Sequence, residues 1–207
     1  MEKRNSLELI KRIKSLSETG LVYCQDEYDK ERYDELLEIS LELLSIVSEK
    51  PIAALNDFFM PSHDYPTPKV DIRAFCFNKS NEILLVKEKL DGKWSLPGGW
   101  GDIGFSPSEV IVKEVKEETG LDAKVIRLLA IYDKKHHPHP PQPFYVYKLV
   151  FLCELFEGEI NTSFDIEKAD YFNIDHLPEL SENRILKSQI LQLHNMVINQ
   201  NTEVYFD

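Results

Sequence analysis

Three glutamates, Glu114, Glu117 and Glu118, crowd the run KEVKEETG. On a helix turning about 100° per residue they fall within about 100° of arc, so they share one face. Like charges four apart cost an isolated helix about 0.2–0.5 kcal/mol. A solvated acidic face is one reading of such a run. The other is a seat for a hard divalent cation such as Mg²⁺, which takes several oxygen ligands at once. The loop upstream, WSLPGGWGDIG from Trp94 to Gly104, can bring backbone carbonyls beside those carboxylates.

The elements around this loop must hold it in place. Ser106 is suited to cap a helix, Pro107 to begin it and Gly120 to end it. Ile111, Val112 and Val115 fall beside the glutamates and are expected to pack on a sheet, with Lys113 and Lys116 on the other side. Strands are predicted in KVDIRAFCFN from Lys69, in EILLVKEK after the turn KSN, in AKVIRLLAIYDKK and in FYVYKLVFLCELF. The turn-rich KKHHPHPPQP divides the last two. DYFNIDHLP reads as a short closing strand before a helix in ENRILKSQILQLHNMV. The sum is mixed α/β, with helices flanking a sheet.

Residues 1 to 60 have a different grammar. Leu9, Ile13 and Leu16 mark one helix, with Gly20 as its stop. Asp26 can cap a second helix whose stripe runs through Tyr33, Leu37, Leu41 and Leu44, thickened by Leu36, Leu43 and Val47. Pro51 suits the start of a third, in IAALNDFF. A stripe this wide must pack on something, either the downstream domain or a second copy. MPSHDYPTPK, with three prolines and no periodicity, reads as a linker. The predicted division is a helical domain over 1–60, a linker over 61–68 and a second domain over 69–207.

Lys and Arg number 24 against 36 Asp and Glu, a net charge of −12 in 207 residues. That disfavours an electrostatic grip on nucleic acid or an anionic membrane. A phosphorylated small molecule remains compatible, with cations bridging the charges. Cys24, Cys76 and Cys153 are odd in number and form no C-x-x-C pair, which fits a reducing compartment. The N-terminal MEKRNSLELIKRIKSL has no apolar core of a signal peptide, and no apolar run approaches the ~20 residues of a membrane helix. A cytoplasmic protein is expected.

The glycine loop and glutamate run together resemble the Nudix hydrolases. The family signature is G-x5-E-x7-R-E-U-x-E-E-x-G-U, where U is bulky and aliphatic. Here it runs from Gly99 through Glu114, Val115, Lys116, Glu117, Glu118, Thr119, Gly120 and Leu121. Two positions depart from it, Phe105 for the first glutamate and Lys113 for the arginine. In the family those two brace the loop, so Asp102 or Glu109 is expected to brace it instead, with Phe105 packed and not catalytic. The resemblance implies a Nudix-type α/β/α sandwich with a mixed sheet, preceded by the helical domain. It implies that Glu114, Glu117 and Glu118 hold Mg²⁺ or Mn²⁺, that the Gly98 carbonyl completes the shell, and that one carboxylate activates the attacking water. The implied reaction is hydrolysis of the phosphoanhydride of a nucleoside diphosphate derivative. With the helical front end and GGW-x-D-x-G-x-SP, the chain looks like the group containing CDP-choline pyrophosphatase, whose members are often labelled ADP-ribose pyrophosphatases. CDP-choline is the first expected substrate and ADP-ribose the second. A catalytically silent nucleotide sensor on the same fold is the rival.

Substrate contacts are sought elsewhere. Strand alternation puts Asp71 and Arg73 on one face, where Arg73 meets either a substrate phosphate or Asp71. His136, His137 and His139 sit in the turn-rich loop, where His139 is either a substrate contact or part of an exposed turn. Tyr132, Tyr145 and Tyr147 could stack on a base or fill the core. The expected assembly is a homodimer.

Overall fold

The computed structural model describes residues 6–48, 65–102, 104–156 and 158–207. Two compact units emerge, Met1–Pro68 with Pro141–Phe144, and Lys69–Pro140 with Tyr145–Asp207.

In the first unit, α1 (Ser6–Tyr23) and α2 (Glu27–Ser48) pack on each other. Asp26 caps α2, its Oδ1 accepting from the Tyr28 amide at 2.7 Å. Ile10 and Leu44 form the buried centre, with Leu7, Leu41 and Leu43 around them. The buried face of α1 is Ile10, Lys11, Lys14 and Ser17. This corrects the expected stripe, because Leu9 and Leu16 are 45% and 51% exposed. The helix is turned by about one residue from that reading, and lysine stems lie along the apolar seam. Gly20 is no stop either, since α1 runs on to Tyr23. A Cβ at Gly20 would lie 2.5 Å from the Tyr33 ring, so this glycine serves the close approach of the helices. Leu36, Ile39, Ile46 and Val47 of α2 also face outward. The predicted third helix lies outside the described residues.

The second unit contains two sheets. One is four-stranded and mixed, with β1 (Lys69–Cys76), β5 (Val146–Leu155), β4 (Ala123–Asp133) and β7 (Tyr205–Phe206) in that order. β1 runs parallel to β5, with Asp71 opposite Lys148, and β5 runs antiparallel to β4. The other is antiparallel, with β2 (Ile83–Glu88) between β3 (Trp94–Ser95) and β6 (Ile166–Phe172). β1 and β2 are buried on both faces, as their apolar runs require. Ile72, Ala74, Leu84 and Val86 join Val110, Ile111 and Val115 of α3 (Pro107–Thr119). Phe75, Ile83 and Leu85 turn the other way, toward Ile190 and Leu193 of α4 (Lys187–Ile198). Helices thus cover the strands from both sides, the α/β/α layering expected.

Three details differ from expectation. Val110 rather than Val112 is buried on α3. The final helix begins at Lys187, because Ser181–Leu186 is drawn into turns: the Ser181 amide bonds to Trp94 O at 2.7 Å, and Arg184 and Ile185 fold back on Ser181 O. The two-residue strands β3 and β7 are too short to carry a periodic signal.

Candidate active site

Local signals build the glutamate helix. Ser106 Oγ accepts from the Glu109 amide while the Glu109 side chain returns to the Ser106 amide, a reciprocal cap, with Pro107 opening the helix. Gly120 closes it in the left-handed conformation, φ 76°. The glycine loop is laid along β1 like an extra strand. The amides of Ile72 and Ala74 donate to the carbonyls of Gly99 and Pro97, each at 2.8 Å, and the Gly101 amide donates to Val70 O at 2.8 Å. The Gly98 carbonyl takes no part in that ladder.

The helix meets the loop through its carboxylates. The Gly98 amide donates to Glu118 Oε2 at 2.8 Å, and Glu118 is only 6% exposed. Glu114 lies against Gly99 so closely that a Cβ there would come 2.8 Å from Oε1. Glu117 faces solvent. Burial pushes the Glu118 carboxyl up to about 8, against the pull of Arg73 and the Gly98 amide and with the push of Glu114 and Glu88. Glu114 is raised by burial and then by Glu117.

These oxygens suit a hard cation. Buried carboxylates that repel one another are relieved by positive charge, and the backbone of Gly98 and Gly99 leaves no room for a competing side chain. Yet among the described residues no three His, Cys, Asp or Glu side chains are gathered into a ligating group. Glu118 is turned inward to Gly98 and Glu117 outward. The structure brings the three glutamates to one helix segment without converging them.

The brace predicted for the loop is Asp102, whose Oδ2 lies 2.9 Å from Lys113 Nζ. Both side chains are substantially exposed, so the pair contributes about 0–1 kcal/mol. Glu109 is absorbed in the helix cap. Phe105, expected to be packed, is instead 53% exposed, with Lys113 Nζ 5.6 Å from the centre of its ring.

The remaining candidates are dispersed. Arg73 is buried and bound to Asp71 Oδ1 at 2.8 Å and to Leu96 O at 3.0 Å, while its charge acts on Glu118. Tyr132 is fully buried, its hydroxyl 3.1 Å from Gln192 Oε1 and its ring against His137 and Tyr205, so it fills the core and presents no face for a base. His139 Nδ1 lies 2.6 Å from Glu182 O, and Nε2 is buried without a partner. Burial and the charges of Lys148, Lys134 and His137 hold this imidazole neutral, down to about 3, against the pull of the Glu182 carbonyl. Tyr147 is exposed. Sequence reasoning missed Glu88, whose charge acts on both Glu118 and Arg73, and its partner Arg184 at 3.0 Å. No motif marks either residue, since the turn Ser181–Leu186 brings Arg184 to the end of β2 from a distant part of the sequence.

Comparison with known proteins agrees with this architecture. The sequence model described as the NUDIX domain matches residues 67–193, and one described as UDP-X-like, N-terminal oligomerisation domain matches residues 4–59. The Bacillus subtilis (strain 168) protein YjhB, provisionally named an ADP-ribose pyrophosphatase, is 42% identical over 201 residues, covering 97% of this chain and 96% of that protein. A crystal structure of UDP-X diphosphatase superposes with a TM-score of 0.63 at 36% identity, covering 97% of each chain. An ADP-ribose pyrophosphatase from Streptococcus suis 89-1591 superposes with a TM-score of 0.61 at 39% identity, over 68% of this chain and all of its own.

Proposed function

This chain belongs to the NUDIX family, and from that premise we propose how it works and on what. It is a hydrolase of nucleoside diphosphate-linked compounds. The observation that carries the reading is the docking of the glutamate helix on the glycine loop, through Glu118 on the Gly98 amide and Glu114 on Gly99. We assign Glu114, Glu117, Glu118 and the Gly98 carbonyl to hold Mg²⁺ or Mn²⁺. The bound cation would neutralise phosphate charge and acidify a water molecule.

The protein's own part is geometric and electrostatic. Glu118 stands in a buried setting beside Arg73, so that once a bound cation held it ionised its charge would act at close range. Glu114, raised in proton affinity by burial, is suited to orient or deprotonate the attacking water. The buried Arg73 supplies positive charge toward the anionic substrate from behind the loop.

For the substrate, ADP-ribose and UDP-linked compounds come first, because the relatives above are named for them. CDP-choline, which rests on the resemblance of the helical front end and the glycine loop and which none of these relatives is named for, comes third. The test is a panel of these compounds with Mg²⁺ and Mn²⁺, reading the phosphate made accessible to a phosphatase. Turnover of at least one supports the reading, and silence toward all of them with either metal defeats it.

We also propose a homodimer formed through the helical unit. Leu9, Leu16, Leu36, Ile39, Ile46 and Val47 face outward from α1 and α2, and the domain model matching residues 4–59 is described as an N-terminal oligomerisation domain. Light scattering is expected to give about twice the chain mass of 24.1 kDa. A monomer at micromolar concentration would reassign those side chains to contacts within the chain. Cys76 and Cys153, free and buried, suit work in a reducing cytoplasm. No helix among the described residues is long and apolar enough to cross a membrane.

A further inference from the structure

Away from the glutamate helix, three consecutive carbonyls in the turn before α4 each receive a side chain from elsewhere. Glu182 O accepts from His139 Nδ1 at 2.6 Å, Asn183 O from Lys134 Nζ, and Arg184 O from Lys148 Nζ. These donors belong to the short 3-10 turn Lys134–His136, the loop after it and β5. The side chains of the same turn reach the opposite way. Ser181 Oγ donates to Asp91 Oδ2 at 2.6 Å, Arg184 Nη1 reaches Asp91 Oδ2 at 2.8 Å, and Arg184 Nε lies 3.0 Å from Glu88 Oε1. The turn is therefore fastened to the mixed sheet by its carbonyls, and to β2 and the turn after it by its side chains.

Lys148 has a second attachment. Its ammonium lies 3.9 Å from Asp71 Oδ2, while Asp71 Oδ1 holds Arg73 Nε at 2.8 Å. One fully buried lysine thus joins the Asp71–Arg73 pair to the backbone of Arg184. The two arginines border the same ground: Arg73 acts on Glu118, and Arg184 pairs with Glu88, whose charge acts on both Glu118 and Arg73.

A buried ammonium costs several kcal/mol unless its contacts repay it, and an apolar side chain of the same size avoids that cost. Burial, with the charges of Arg73 and Lys134, lowers Lys148 to about 7, while Asp71 alone raises it. Packing therefore gives no reason for a lysine here, whereas the placing of two guanidiniums does.

We propose that Lys148 is a positioning residue for the hydrolysis: by holding Asp71 and the Arg184 carbonyl together, it fixes Arg184 relative to the buried Arg73, so that the Arg184 guanidinium grips the anionic diphosphate substrate beside the glutamate helix while Arg73 adds its charge from behind the loop. The proposal rests on the hydrolase reading above. Arg184 is the outer arm of this grip, half-buried and able to share its guanidinium between Glu88 and a phosphate.

The test compares Lys148→Met and Lys148→Arg with the wild type, using whichever panel compound the wild type hydrolyses. Lys148→Met is expected to raise KM at least ~10-fold with a smaller fall in kcat, because uniform substrate binding is lost. Lys148→Arg, which keeps the charge and can reach both partners, is expected to recover most of that loss. A purely structural lysine would lower the melting temperature without this split, and a KM within about twofold of wild type in Lys148→Met would overturn the proposal. Should that variant not fold, Arg184→Gln decides: the same rise in KM supports the grip, and an unchanged KM removes it. A wild type inactive on the whole panel defeats the hydrolase reading itself, before any variant is compared.

Discussion

Glu118→Gln is expected to lower kcat by at least ~10²-fold, the loss typical when one electrostatic partner of a transition state is removed. The metal-free fold should be as stable as before, or more so. Gln keeps the volume and can still accept from the Gly98 amide, which now bonds Glu118 Oε2 at 2.8 Å. It also removes a carboxylate that burial disfavours and that Glu114 repels. The pH dependence gives the sign. In the folded state the Glu118 carboxyl is raised from 4.5 to about 8, so folding favours its protonated form. That contribution is fully present at low pH and is lost as pH rises through about 8. The stability of Glu118→Gln relative to wild type should therefore grow between about pH 5 and about pH 8 without metal. Thermal melts across that range, beside kinetics with Mg²⁺, check both halves. Near-normal turnover would remove Glu118 from the ligand set.

Gly98→Ala is the second change with a large expected effect, and here stability and activity fall together. Gly98 has φ 136°, a conformation that costs a side-chain-bearing residue about 1–3 kcal/mol. An added Cβ would also come 2.1 Å from Ile72 O and 3.0 Å from Arg73 Cα, both backbone atoms of a buried strand. The loop has to lift from β1, which strains the bonds from Ile72 and Ala74 to Gly99 and Pro97 and draws the Gly98 amide away from Glu118. At about 2–4 °C per kcal/mol for a chain of this size, melting should fall by several degrees. A misplacement of about 1 Å at reacting groups costs on the order of 10²-fold in rate. Differential scanning calorimetry and kcat/KM on one preparation test the pair. An Ala variant with wild-type stability would mean that the loop does not take this path along β1.

How much of this was legible in the sequence depends on how local the cause is. The glutamate helix was legible to the residue, because Ser106, Pro107 and Gly120 act on their own backbone. The long strands were legible because β1 and β2 are buried on both faces and their composition records it. The rotation of α1 was not, since Leu9 and Ile10 compete for the seam and only the partner helix chooses. Nor was the late start of α4, where Ser181–Leu186 has a helical pattern but spends its backbone on Trp94, His139, Lys134 and Lys148. In the site, the three carboxylates and the glycine loop could be read from spacing. The Asp71–Arg73 pair was legible as one of two readings of strand alternation, whereas the presence of Glu88 and Arg184 nearby joins segments distant in sequence and leaves no local mark.

The central claim is that the glutamate helix serves cleavage of the anhydride between two phosphorus atoms. Hydrolysis of ADP-ribose in ¹⁸O-labelled water with Mg²⁺ or Mn²⁺, with both products identified by mass, tests it most directly. The account predicts AMP and ribose 5-phosphate, with label on one product only, because in-line attack of water at one phosphorus leaves the other product its original oxygens. Release of inorganic phosphate or unphosphorylated ribose would mean that a different bond is broken and would contradict the account.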